Sequence, residues 1–274
     1  MTEGLGLAGM TETPIVVVEG QRPGPAIGLP TRTEQGDLQF VIYAHQGDFP
    51  RAVLAPATIE DCFWLTIKAF NLAEKYQIPV IVMTDHVLAT SYFTVEKFDI
   101  SKVAIDRGSL LSDEEANEPE YKRYQITPSG ISPRAFPGQG KSLVVADSDE
   151  HDENGHLIED AETRTKMMDK RLRKLTGLSK ETAPLEIYGP KQAETLLIGW
   201  GSTCGAIREA ADILSKEGAS VNSLSLAEIW PFPTEAIAAI LNKAKHSYVI
   251  ENNATGQLAR LIRTETGIKV SGNI

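Results

Sequence analysis

The sequence predicts an α/β fold built on parallel sheets, and two observations carry the prediction. Near the start, two β-branched runs, Pro14–Glu19 (PIVVVE) and Pro79–Met83 (PVIVM), flank a long amphipathic helical period. That is the strand–helix–strand order of a parallel sheet. Near the end, from Leu185 to Ile274, short apolar runs alternate with helical patterns as βαβαβα. Size and composition agree. With 274 residues, 42% hydrophobic and 23% charged, the chain has length for about two domains. It has the makeup of neither a disordered chain nor a collagen or disulfide scaffold.

Residues 1–108 form a first zone. Pro14–Glu19 is a buried strand, followed by a Gly/Pro loop from Gln21 to Pro30. Leu38–Ala44 is a weaker strand candidate. Thr58–Lys75 is a helix whose apolar face is drawn by Ile59, Cys62, Phe63, Thr66, Ile67, Phe70 and Ala73. Thr58 and Asp61 have the spacing of a capping box, in which hydroxyl and carboxylate answer each other's orphan N–H groups. Pro79–Met83 closes the unit as a second buried strand.

Residues 109–184 differ in character, being rich in charge, Gly and Pro. They hold Tyr121–Tyr124, the loop Thr127–Gly140, the run Ser142–Ala146, the acidic stretch Asp147–Asp160 and a helix from Ala161 to about Leu175. At this length they exceed a plain linker and are expected to form a partly ordered connecting arm. Residues 185–274 are the cleanest. Thr195–Gly199, Ser220–Leu226 and His246–Glu251 are strands, and Ile268–Val270 is a short final one. A helix capped by Ser202 or Thr203 carries Ile207, Ala210, Ala211 and Leu214 on one face. Pro231 and Pro233 open another through Ile237 and Ile240, and Thr255–Thr266 forms the last.

Charge and cysteine usage narrow the function. Lys plus Arg number 27 against 37 Asp plus Glu, a net of -10, which argues against nucleic-acid binding through a broad cationic surface. No apolar run approaches the ~20 residues of a membrane span. The two cysteines, Cys62 and Cys204, belong to no metal-binding pattern, so the chain is expected to hold no metal by itself. They read as reduced thiols of a cytoplasmic protein.

Six segments are candidates for chemistry. Gln21–Thr33 follows a strand end, where open α/β sheets take ligands. Its prolines and glycines set an irregular backbone, and Arg22 and Arg32 offer forked donors for a carboxylate or phosphate; the alternative is a rigid loop with solvated arginines. Glu34–Asp37 adds polar groups or simply a turn. His45–Arg51 pairs an imidazole with a cation, either a general base or an ordinary surface loop. Asp147–His156 gathers oxygen and imidazole donors but fits neither an EF-hand nor HExxH spacing, and a solvated acidic loop is its default. Gly199–Gly205 is a strand-to-helix turn able to hold an anion, or a capped turn; Cys204 within it reads as structural. Glu228–Pro233 reads as packing, with an interface as the alternative.

Taken together, several segments carry a family resemblance. Gln21–Asp37 (QRPGPAIGLPTRTEQGD) resembles the signature loop of the alpha subunit of 2-oxoacid:ferredoxin oxidoreductases, which include 2-oxoglutarate synthase. Ala69–Tyr76 (AFNLAEKY), Gly130–Pro137 (GISPRAFP), Asp149–Gly155 (DEHDENG), Leu172–Leu175 (LRKL), Gly199–Thr203 (GWGST) and Trp230–Pro233 (WPFP) agree with it over nearly the whole chain. The resemblance implies that residues 1–108 are the C-terminal part of a pyrimidine-binding thiamine domain. It implies that 109–184 are the connecting arm and 185–274 a transketolase C-terminal-like domain. It implies oxidative decarboxylation of a 2-oxoacid, 2-oxoglutarate being favoured, to an acyl-CoA and CO2 with reduction of ferredoxin. Thiamine diphosphate, Mg2+ and an iron–sulfur cluster are implied for the assembled enzyme, mostly on a beta subunit, with coenzyme A as co-substrate. The partners implied are that beta subunit and ferredoxin, in a cytoplasmic hetero-oligomer without nucleic acid or membrane.

Carried over by position, Arg22 matches the arginine that faces the substrate carboxylate, and Gly28, Leu29, Pro30 and Thr31 match the loop shaping that pocket. Ile27 stands where the family usually has Thr, so a hydroxyl contact is lost. Met1–Met10 matches an interior segment of the family's domain, and no thiamine-activating acid precedes Arg22. The chain is thus expected to be a partial alpha subunit, inactive alone and without catalytic residues of its own. Two other readings are the beta subunit of a lipoamide-linked 2-oxoacid dehydrogenase and a non-catalytic assembly module.

Overall fold

Two sheets share one core. The computed structural model describes residues 1–118 and 120–274. It opens with helix α1 (Thr2–Met10), strand β1 (Ile15–Gln21), helix α2 (Leu38–Tyr43), strand β2 (Ala52–Leu54), helix α3 (Ile59–Tyr76) and strand β3 (Pro79–Asp85). A short helix α4 (His86–Thr90) follows. After a long irregular stretch come helix α5 (Ala161–Leu178), strands β4 (Ile187–Tyr188) and β5 (Thr195–Trp200) and helix α6 (Thr203–Lys216). The chain ends with β6 (Val221–Leu226), β7 (Glu228–Trp230), α7 (Thr234–Leu241), β8 (His246–Val249), α8 (Gln257–Thr266) and β9 (Gly272–Asn273).

The first sheet runs β1-β3-β2-β7, with β1 and β2 parallel to β3 and β7 antiparallel to β2. The second runs β4-β6-β5-β8-β9, parallel except for β4. Strands buried on both faces read as continuous apolar runs, and here the faces separate with period two. Val53, Ile81 and Met83 turn toward the same core as Leu196, Ile198 and Trp200 of β5. Leu54, Val80 and Val82 turn the other way, beneath Ala69, Leu72, Ala73 and Tyr76 of α3 and Leu178 of α5. On the far side of the second sheet, Leu197 packs with Ile207 and Ala211 of α6. Each fully buried Val, Leu, Ile or Met among them contributes roughly 1.5–3 kcal/mol relative to exposure.

Several expectations change. Leu38–Ala44 is a helix and not a strand, because Leu38, Val41 and Ile42 recur at helical spacing and all three are buried. The capping box of α3 is present, with Thr58 and Asp61 bonded reciprocally. Its buried face is Ala69, Leu72, Ala73 and Tyr76, however. Phe70 is 57% exposed, and Phe63 instead stacks on Phe98 at 4.2 Å. Ser202 makes no capping hydrogen bond in α6, and within that helix Ala210 faces solvent while Cys204 takes a buried place. Strand β2 and helix α1 have no counterpart in the sequence reading.

The connecting arm is anchored to the first zone through α5 and Arg123. Helix α5 buries Met167, Lys170, Arg171, Lys174 and Leu178, a polar face at helical spacing. Lys170 and Lys174 bracket the Glu12 carboxylate, each at 2.5 Å. Arg123 reaches the same corner, donating to the Gln77 side chain at 2.8 Å and to the Glu12 carbonyl at 2.7 Å.

Candidate functional site

The loop after β1 is held at both ends and free in the middle. At its start, Gln21 is buried; its side chain donates to the Thr84 carbonyl at 3.3 Å and accepts from the Asp37 N–H at 3.2 Å. At its end, Gln35 is wholly buried. Its amide donates to the Trp200 carbonyl at 2.6 Å and accepts from the Asn252 N–H at 3.0 Å. Asn252 and Asn253 donate in turn to the carbonyls of Thr33 and Gln35, and Gln257 to that of Gly36 at 2.5 Å. Gln35 therefore ties the first zone to the carboxyl ends of the second sheet. In the sequence Glu34–Asp37 offers either further polar groups for the loop or a turn, and only the distant partners reveal the tie.

Between these ends, Arg22, Ile27, Gly28, Leu29, Pro30, Thr31 and Arg32 are exposed. The backbone is fixed internally. Leu29 N–H donates to the Pro23 carbonyl at 3.1 Å, and Arg32 N–H to that of Leu29 at 3.1 Å. Gly28 has φ +54, and a Cβ there would lie 1.6 Å from the Pro23 carbonyl oxygen. Only glycine meets both demands. The result is a rigid projection at the carboxyl end of β1, beside that of β3, where parallel sheets present ligands. Arg32 spends one donor on the Thr31 carbonyl at 3.2 Å. Around its base lie Glu19 and Asp37. Burial raises both carboxyl pKa values, with Asp37 adding to the effect on Glu19 and Glu34 to that on Asp37.

The neighbouring turn at Gly201 serves the same seam. Asp85 is buried at the end of β3; one oxygen accepts from the Leu88 N–H at 3.2 Å and the other from the Ser202 hydroxyl. Ser202 is thus engaged across the sheets and not at its own helix. Gly201 has φ +57, and a Cβ there would sit 2.9 Å from the Gln35 amide nitrogen. This turn is a junction between sheets. Cys204 is buried, and burial pushes its thiol up to about 11, which fits a structural thiol.

Within the acidic stretch, Glu150 and His151 are packed against the rest of the chain, whereas Asp149, Asn154 and His156 are exposed. Among the described residues, no group of three His, Cys, Asp or Glu side chains could hold a metal ion. Glu150 takes a bidentate pair from Arg171, at 2.8 and 2.6 Å, and a further contact from Arg164. Its carboxyl is lowered because those guanidinium groups overcome the burial that would raise it. His151 is wholly buried against Tyr124, ring centroids 4.0 Å apart, and burial lowers its pKa. In the loop from His45 to Arg51, the imidazole Nδ1 lies 2.6 Å from the Gln46 carbonyl oxygen. Arg51 instead packs over Phe49, 4.2 Å from the ring centroid. The Glu228–Pro233 segment packs: Ile229 is wholly buried and Phe232 nearly so.

Comparison with known proteins accords with this arrangement. Residues 1–170 match the family model described as pyruvate flavodoxin/ferredoxin oxidoreductase, thiamine diphosphate-binding. Residues 193–271 match pyruvate:ferredoxin oxidoreductase core domain II. The chain is 39% identical over 279 residues to subunit alpha of 2-oxoacid:ferredoxin oxidoreductase 1 from Sulfurisphaera tokodaii, covering 100% of this chain and 43% of that one. It is 30% identical to the 2-oxoglutarate synthase subunit KorA of Archaeoglobus fulgidus, covering 99% of this chain and 70% of that one. The fold superposes with a TM-score of 0.93, at 38% identity, on a 2-oxoglutarate:ferredoxin oxidoreductase from Magnetococcus marinus solved with 2-oxoglutarate, coenzyme A and succinyl-CoA bound. That match covers all of this chain and 48% of that one, so the chain spans less than half the length of several of its relatives. With a thiamine diphosphate-binding family model over residues 1–170 and likeness to alpha subunits along the whole of this chain, the chain belongs to the pyruvate flavodoxin/ferredoxin oxidoreductase family, on its alpha-subunit side.

Proposed function

We propose that this chain forms the substrate-facing part of a 2-oxoacid:ferredoxin oxidoreductase alpha subunit, acting on 2-oxoglutarate. The observation that carries the reading is the rigid loop Arg22–Thr31, projected from the carboxyl end of β1 with Arg22 exposed and in no ion pair with the described residues. A fixed guanidinium suits a carboxylate through two parallel N–H···O bonds. In this reading Arg22 holds the 1-carboxylate, while Gly28, Leu29, Pro30 and Thr31 form the wall beside it. The 2-oxoglutarate preference rests on the relatives named for that substrate.

The donor set limits which cofactors this chain can hold. No cation site converges among the described residues, and its two free cysteines fall short of the four thiolates an iron–sulfur cluster takes. The iron–sulfur cluster therefore does not fit the residues here, and in this reading it belongs to a beta subunit together with Mg2+ and the diphosphate end of the cofactor. Thiamine diphosphate would supply the carbanion sink in the assembled enzyme. This chain's part is to bind and orient the substrate carboxylate and keep the loop fixed while it does so. Coenzyme A would accept the acyl group and ferredoxin the electrons, in a cytoplasmic hetero-oligomer.

The test is co-expression of the full-length alpha subunit with its beta subunit, followed by assay of 2-oxoacid-dependent, coenzyme A-dependent reduction of a low-potential acceptor. Arg22→Ala should raise the KM for the 2-oxoacid by about 30-fold or more, the loss expected when a charged partner is removed. An intact complex in which no 2-oxoacid is turned over would refute the activity. An unchanged KM would refute the role of Arg22 alone.

A further inference from the structure

Arg51 is a buried cation with most of its donors unspent. It directly precedes β2 and is 5% exposed. One guanidinium nitrogen donates to the Val41 carbonyl at 3.0 Å, and the flat face lies over Phe49. Among the described residues no carboxylate pairs with it, whereas Lys170, Lys174, Arg171 and Arg134 all have acidic partners. Arg123 also lacks a carboxylate, but it donates to Gln77 and to the carbonyls of Thr11 and Glu12. A guanidinium carries five N–H donors, so Arg51 is the under-used one. Burial alone depresses it, to about 10, and a buried charge of this kind is costly until something answers it.

The space beside it is a cavity of about 290 Å³. Ile42 and Tyr43 of α2, Phe49, Leu172 of α5 and Trp230 of β7 give it apolar walls, and His45 also lines it. Three separate parts of the chain meet there, which is where small-molecule pockets concentrate. His45 has φ +84, a backbone conformation that costs energy for a residue with a side chain and that tends to persist at binding sites. Asp48 also lines the cavity and places one negative charge near any ligand.

This cavity is separate from the Arg22 loop. Arg51 lies one residue before Ala52, which pairs with Val80, itself paired with Val16 near the start of β1. Arg22 follows the far end of that strand. At ~3.3 Å per residue the two arginines are roughly 20 Å apart along the sheet.

We propose that the cavity binds a small organic monocarboxylate, its carboxylate on the free edge of Arg51 and its apolar body against Trp230 and Leu172. The site is a second one, at the amino ends of the parallel strands. Asp48 disfavours a dianionic phosphate head, so a single negative charge on an apolar body is the best match.

The test uses the folded full chain and three probes sharing one ring, benzoate, benzamide and phenyl phosphate, titrated by calorimetry. Benzoate should bind saturably. Benzamide should bind at least ~10-fold more weakly, since a charged hydrogen bond is worth roughly 1.5–3 kcal/mol, and phenyl phosphate should gain affinity in Asp48→Asn. Arg51→Gln should weaken benzoate at least ~10-fold. Leu172→Trp, which fills the cavity without touching the cation, should do the same and serves if Arg51→Gln does not fold. Arg22→Ala should leave benzoate binding unchanged. The proposal fails if benzoate does not bind, if benzamide binds as well, if Leu172→Trp binds as the parent does, or if Arg22→Ala abolishes binding.

Discussion

The Glu12 carboxylate and the Lys170 ammonium meet at 2.5 Å with at most 1% of either side chain exposed. Lys174 approaches the other carboxylate oxygen equally closely, and Lys174 also donates to the Gln77 carbonyl at 3.1 Å. One carboxylate thus serves two lysines, fastening the end of α1 to the middle of α5. Replacing a whole buried pair with apolar groups is often harmless, but removing one member strands the rest. Glu12→Gln should therefore cost about 3–5 kcal/mol, read as a fall in the urea midpoint without a change in slope. A loss below ~1 kcal/mol would show that water reaches the lysines.

The same cluster sets an acid limit. Burial tends to raise the Glu12 pKa, yet Lys174 and Lys170 overcome it and hold the carboxyl at about 2. A depressed carboxyl contributes stability that is complete above its unfolded value near 4.5 and is lost as pH falls toward 2. The contribution is on the order of 3 kcal/mol. Stability measured from pH 5 down to pH 2 should drop in the parent. Over that interval it should be flatter in Glu12→Gln; parallel curves would disprove the linkage.

Gln35→Ala tests the seam between the sheets. It leaves the Asn252 N–H without its side-chain acceptor and the Trp200 carbonyl with only the Thr203 hydroxyl at 2.9 Å. An unmet buried polar group costs roughly 1–3 kcal/mol, so a loss of about that size in chemical denaturation is expected. Gln35→Glu, which keeps shape but loses the donor to Trp200, should be no better.

Gln35 and Glu12 also mark where the sequence stops being legible. The runs at Pro14–Glu19 and Pro79–Met83 and the capping box at Thr58 declare themselves, because their signals are local and their periods clear. LQFVIY at Leu38–Tyr43 does not, since a short apolar run suits helix or strand until its partners choose. Glu150 and His151 read as part of a solvated acidic loop, and nothing local marks Lys170, Arg171 and Lys174 as buried, since such residues are mostly exposed. Their burial depends on partners far along the chain. The position of the Arg22 loop follows from the strand before it, whereas its attachment to Asn252 and Trp200 is visible only in three dimensions. The Arg51 cavity likewise assembles from α2, α5 and β7.

Glycine substitutions separate loop geometry from stability. Gly28→Ala places a Cβ against the Pro23 carbonyl, and the exposed loop must rearrange. The melting temperature should barely change, while the KM of the assembled enzyme for 2-oxoacid should rise by about 10-fold or more. In α1, a Cβ added at Gly4 would meet nothing within 4 Å, whereas one on Gly6 would fall 2.0 Å from the His45 ring. Gly4→Ala should stabilise by ~0.5–1 kcal/mol. Gly6→Ala should lower the melting temperature, and the reverse order would contradict the close packing of α1 on His45.

The two thiols should react at different rates. Cys204 is buried and raised to about 11, while Cys62 is half-buried, its thiol raised by burial, Asp61 and Asp85. The thiolate is the reactive form. Iodoacetamide at pH 8 should label Cys62 first, with Cys204 modified only once the protein is unfolded, as mass spectrometry would show.

Strand β7 follows β6 after a single residue, yet its hydrogen bonds run to β2 in the other sheet. The ladder therefore crosses between parts of the chain that lie far apart in sequence. A split after residue 184 would leave β2 as a bare edge, open to pairing with any strand that arrived. The two pieces would have to be made together to be soluble. Heating the intact chain should give one cooperative transition, because neither sheet can come apart without stripping a strand from its neighbour.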